Sequence, residues 1–139
     1  MMPPIDESAY LISARPADMD HLWAQGWRHF GPAFFRYSHT LSGTELRHVI
    51  PLRVDLERFS PSKSQRRIRR NIADLRQQIS PTFIDAKRED LFDLHKQRFT
   101  ENVPESLENF LGPLPNRIPC ANSEVALYDG SQLIAASYL

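Results

Sequence analysis

The chain has 139 residues and equal numbers of basic and acidic side chains, 17 Lys+Arg against 17 Asp+Glu. That length suits one ordinary domain, and the charge balance leaves no global field drawing the whole molecule to nucleic acid or to a membrane. Cys120 is the single cysteine, which excludes a disulfide framework and a cysteine-rich metal site, and no apolar run nears the ~18 residues that span a bilayer.

Residues 1–7 lack the basic start and apolar core of a signal peptide, and a reducing cytoplasm is the expected compartment. Residues 1–15 read as an N-terminal arm, in which Tyr10, Leu11 and Ile12 either add a short strand or pack. Residues 16–139 read as a single domain. A first helix is predicted over 16–25. Pro16 suits the first helical position, Asp18 and Asp20 complement the helix dipole, and Gly26 is the stop. Met19, Leu22 and Trp23 supply its buried face. A stretch dense in aromatics and arginines follows, and 34–40 reads as a strand. Ser42-Gly43 marks a turn into a longer strand over 45–59. There Leu52, Val54 and Leu56 alternate with Arg53, Asp55 and Glu57, and Pro51 confines the strand to an edge or a bulge.

The next stretch carries the strongest local signal. Pro61 and Ser62 precede a helix start, and Ser62 with Gln65 fits a capping box. Ile68, Ile72, Leu75 and Ile79 fall at helical spacing, predicting a helix that runs to Ser80-Pro81. Lys63, Arg66, Arg67 and Arg70 are left for its other faces, with no acid before Asp74. A capped helix start, its dipole and a cluster of arginines together make an anion site, and phosphate is the natural guest. The competing account is a solvated helix face whose arginines pair with acids elsewhere. Against it stands the sign asymmetry of a chain that is balanced overall yet basic in one segment.

A short strand is predicted over 81–84. Asp85 caps a helix reaching Thr100, a shorter helix covers 105–111, and a proline-rich loop follows. Residues 124–128 and 132–139 form a hairpin across Asp129-Gly130, a strong turn dipeptide. Its second strand is apolar on both faces and ends the chain. An incomplete fold, and self-association through that strand, are therefore expected.

The chain carries few other chemical signals. His21, His29, His39, His48 and His95 are dispersed, with no metal-binding spacing. A site built from His29, His39 and His48 is conceivable, but packing or surface roles outweigh it. Cys120, between Pro119 and Ala121, has no base close in sequence and reads as a loop residue rather than a nucleophile. No glycine-rich phosphate loop is present. Neither a metal nor a cofactor is expected.

Several segments together resemble a known family. They are Gly26-Trp27-Arg28-His29-Phe30-Gly31, Phe34-Phe35-Arg36-Tyr37, Pro51-Leu52-Arg53-Val54, and Phe59-Ser60-Pro61-Ser62-Lys63-Ser64-Gln65-Arg66-Arg67 with Asn71, Asp74 and Leu75. This succession is similar to the arginyl-tRNA–protein transferases, whose bacterial branch includes the aspartate/glutamate leucyltransferases. It covers about residues 10 to 80. From 81 onward the likeness is to a fold alone, the front half of a GNAT-like acyltransferase domain. The resemblance implies an α+β fold with a mixed sheet and flanking helices, incomplete at the C-terminus. It implies transfer of arginine or leucine from charged tRNA to a protein N-terminus, marking that protein for degradation. Its partners are then an aminoacyl-tRNA and an acceptor N-terminus, with no membrane.

On that resemblance the tRNA-binding residues are Lys63, Ser64, Gln65, Arg66, Arg67, Arg70, Asn71, Arg28, Phe35, Arg36 and Arg53. Trp27, Phe34, Phe35 and Tyr37 are candidates to stack on the terminal adenosine, although hydrophobic core is the competing role for each ring. No catalytic base is assigned. The cysteine cluster that many members carry is absent from Ser38-His39-Thr40-Leu41-Ser42-Gly43. Two other readings stay open: a non-catalytic RNA-binding or interaction module, and a fragment of a GNAT-like N-acetyltransferase.

Overall fold

The computed structural model describes residues 4–101 and 103–139. The chain forms β1 (Asp6–Tyr10), α1 (Pro16–Ala24), β2 (Arg28–Phe30), β3 (Ala33–Tyr37), β4 (His39–Ser42), β5 (Glu45–His48), α2 (Lys63–Asn71), β6 (Arg76–Pro81), α3 (Ala86–Lys96), α4 (Leu107–Leu111), β7 (Ser123–Asp129) and β8 (Gln132–Tyr138). The architecture is α+β. The strands make three small sheets, ordered β1-β3-β2, β4-β5 and β6-β7-β8. Every ladder among the described residues is antiparallel, so the mixed sheet that the resemblance implies is not what forms.

Local chemistry explains the helix starts. Asp18 reaches back to the Arg15 backbone N–H at 3.1 Å and to its guanidinium at 2.8 Å, closing the first turn of α1 behind Pro16. Asp85 and Ser106 accept from the third-residue N–H of α3 and α4. Gly31 lies in the left-handed region at φ +50°, and an added Cβ there would stand 2.9 Å from the Gly112 Cα. A glycine is therefore needed where the β2–β3 turn meets the end of α4.

The packed core is small. Phe34 and Met19 bury the side of the first sheet that faces α1, where the rings of Trp23, His29 and Phe34 stack in succession. Leu107 and Ala126 mark the second packed region, in which α3 crosses β8 and α4 meets β2. At its centre lies a fully desolvated ion pair. The Arg88 guanidinium grips Glu124 through two nitrogens, donates to Asp85 at 2.9 Å, and stacks 3.8 Å over the Phe83 ring. Glu124 has no exposed surface. Only such bidentate, fully hydrogen-bonded geometry makes burial of two charges tolerable.

Residues 41–79 are almost entirely exposed. The accessible surface of the whole chain is 10993 Å², whereas a compact monomer of 16.1 kDa would show roughly 7,400 Å². The excess belongs largely to this basic stretch.

Four element boundaries also differ from those expected. The strand predicted over 45–59 stops at His48, and residues 49–62 are irregular. Pro51 has no N–H to give a ladder, and Leu52, Val54 and Leu56 are 90%, 64% and 82% exposed because no sheet faces them. The basic helix ends at Asn71 rather than Ser80. Residues 76–81 leave the helical pattern to pair with β7, with Ile79 opposite Val125, so a tertiary ladder overrides the helical spacing. The short strand expected over 81–84 is instead the end of β6 at Pro81, and the helix from Asp85 ends at Lys96 rather than Thr100.

Candidate nucleic-acid interface

The capping box on α2 forms as its sequence suggests. Ser62 Oγ accepts from the Gln65 N–H at 3.2 Å, and Gln65 Oε1 accepts from the Ser62 N–H at 2.8 Å. Gln65 therefore holds the helix start through its Oε1 and backbone N–H, which leaves its side-chain Nε2 free to donate. At about 100° per residue, Lys63, Arg66, Arg67 and Arg70 fall within roughly 100° of arc, on the side opposite Ile68 and Ile72. Every residue of α2 is exposed. No carboxylate pairs with any of its cations among the described residues. Arg66 donates one N–H to the Pro61 carbonyl at 2.6 Å, which leans it toward the helix start. The result is a cationic strip about 10 Å long, at the rise of 1.5 Å per residue. Ser64 hydrogen-bonds Ser62 at 3.0 Å, and Asn71 closes the helix.

The candidates in the first sheet form a second, separate cluster. Arg28 lies across from Phe35 in the β2–β3 ladder. Its guanidinium sits 4.4 Å over Tyr37 and 5.2 Å over Phe35, and its buried Nε has no hydrogen-bond partner. Arg36 points to the other face, where it pairs with Glu7, donates to the Gln25 carbonyl at 3.2 Å and stacks 5.0 Å over Trp27. Arg36 thus ties β3 to β1 and to the end of α1. Phe34 is 1% exposed and belongs to the core, which removes it as a stacking platform. Arg53 is exposed in the irregular 49–62 stretch. No hydrogen bond or ion pair joins α2 to Arg28, Phe35 or Arg36 among the described residues, so the eleven candidates divide between an exposed helix, a loop and a sheet.

Two hollows form between elements distant in sequence. An apolar groove of about 680 Å³ runs between α3, α4 and β8, lined by Leu91, Phe92, Phe99, Leu107, Phe110 and Ile134, with Arg98 among its few charges. The rings of Phe92, Phe110, Phe30, Phe35 and Tyr37 follow one another from this groove to Arg28 at centroid spacings of 5.3–6.2 Å. A smaller hollow of about 300 Å³ has both Cys120 and His29 on its wall, joining residues 91 positions apart in sequence. The alternation of Phe35 and Tyr37 with Phe34 and Arg36 was the one signal that separated the row from the core. Nothing in the sequence marks the hollows, which form between distant elements. Among the described residues no helix is long and apolar enough to cross a membrane. Compared with family models, curated proteins and solved structures, the chain matches none.

Proposed function

We propose that this chain acts as an aminoacyl-tRNA–protein transferase-like protein of GNAT-like type. In this reading α2 grips tRNA phosphates while arginine or leucine passes to the N-terminus of an acceptor protein in the cytoplasm. The observation that carries the reading is the α2 face: four cations on one side of a capped helix, without acids and wholly exposed. Phosphate contacts of this kind position a nucleic acid without reading its sequence. Aminoacyl transfer from an ester to an amine fits such a protein, because it needs two partners held close and a stabilised oxyanion more than it needs a strong base. The Arg28–Tyr37–Phe35 cluster adds a cation and two rings suited to a nucleotide.

The test is transfer of labelled arginine or leucine from charged tRNA to the α-amine of acceptor peptides. Transfer that needs both tRNA and α2 supports the proposal. Binding of tRNA without transfer moves the assignment to the second reading, an RNA-binding module.

A further inference from the structure

The hairpin β4–β5 brings two metal-ligating side chains face to face. His39 and His48 are directly opposite in its register. The Val49 N–H donates to the Ser38 carbonyl at 2.9 Å, which makes the next pair, His39 and His48, a non-hydrogen-bonded one, where cross-strand side chains stand closest. Their ring centres are 4.4 Å apart with the planes tilted by 51°. Leu41 and Leu46 follow as the next pair on the same face, while Arg47 and Glu45 pair with each other on the opposite face.

We propose that His39 and His48 form a two-imidazole chelate for a late first-row divalent ion, with copper(II) or nickel(II) fitting best. At metal–nitrogen distances of about 2.0–2.1 Å, each ring centre lies roughly 3.2 Å from the ion. Two rings bound at a right angle would then be roughly 4.5 Å apart, and at a tetrahedral angle roughly 5.2 Å. The observed 4.4 Å sits at the right-angled end, which is the tetragonal geometry of copper(II) and nickel(II). A supporting contact is already in place. His39 Nδ1 lies 2.8 Å from Ser38 Oγ, and Ser38 Oγ also accepts the Ile5 N–H at 2.9 Å. With Nδ1–H donating to that oxygen, the His39 Nε2 lone pair is left for the metal, the usual arrangement behind a ligating histidine. No third His, Cys, Asp or Glu joins the pair among the described residues, so the remaining positions go to water or to a small exogenous ligand.

The experiment uses the full chain without a histidine tag. Copper(II) is added at substoichiometric levels while the ring protons of all five histidines are followed by NMR, and nickel(II) stoichiometry is measured by equilibrium dialysis. Expected are selective broadening of His39 and His48 and one nickel(II) per chain. His48→Ala should weaken binding at least tenfold and His21→Ala should leave it unchanged. Equal broadening of all five histidines, or binding that His48→Ala does not weaken, would overturn the proposal. Because His48 is exposed, its replacement leaves the fold intact, and circular dichroism of the variant verifies that.

Discussion

Replacing Arg67 and Arg70 with alanine tests the α2 strip without disturbing the helix. Neither side chain has a protein partner among the described residues, and alanine is the best helix former, so α2 should persist. Both lie on the cationic face, one turn apart. If each meets a phosphate, the slope of log affinity against log salt should flatten by roughly 0.7–0.9 per contact, or about 1.4–1.8 for the pair. Between 50 and 200 mM salt, the ratio of parent to variant affinity should then shrink by roughly tenfold. The assay is tRNA binding by fluorescence anisotropy across that salt series. Identical slopes for parent and variant would show that the strip is only a solvated surface, and the phosphate argument would fail with it.

Two further outcomes follow from the second packed region. Arg88→Ala strips the partner from a carboxylate with no exposed surface and should cost about 3–5 kcal/mol. Chemical denaturation reads this directly, and a loss below about 1 kcal/mol would contradict the buried pair. Burial, helped by the Glu124 charge, pushes the Tyr138 phenol up to about 12 from 10.0. The unfolded chain therefore releases this proton first, so stability should fall as pH rises from about 10 and go on falling until about 12. Tyr138→Phe should remove both that loss and the phenolate absorbance change centred at about 12.

Element starts were readable wherever a side chain acts on its own backbone. Pro16 with Asp18, Ser62 with Gln65, Asp85, and the Asp129-Gly130 turn each set a boundary through contacts a few residues apart. Element ends were harder. Helical spacing continued through Ile79, but β7, more than forty residues later, claimed 76–81 as a strand. Period-two alternation at 52–56 was real as a pattern and had no sheet to join. The cationic side of α2 was legible because it needs only one helix. The pairing of His39 with His48 depended on the hairpin register, and that of Arg88 with Glu124 on a contact between residues 36 apart. Spacing along a chain carries no trace of such a meeting.

The excess of accessible surface has a calorimetric consequence. An unfolded chain of this mass would expose roughly 23,000 Å², so folding to 10993 Å² hides only about half of it, against the roughly two thirds hidden by compact domains of similar length. The denaturant dependence and the heat capacity of unfolding both scale with newly exposed area, and each should fall about a fifth below what 139 residues would ordinarily give. The shortfall belongs to a segment whose leucines and isoleucines already meet water before the chain unfolds. Binding that covers 41–79 would reveal itself as a negative heat-capacity change larger than a purely ionic contact produces.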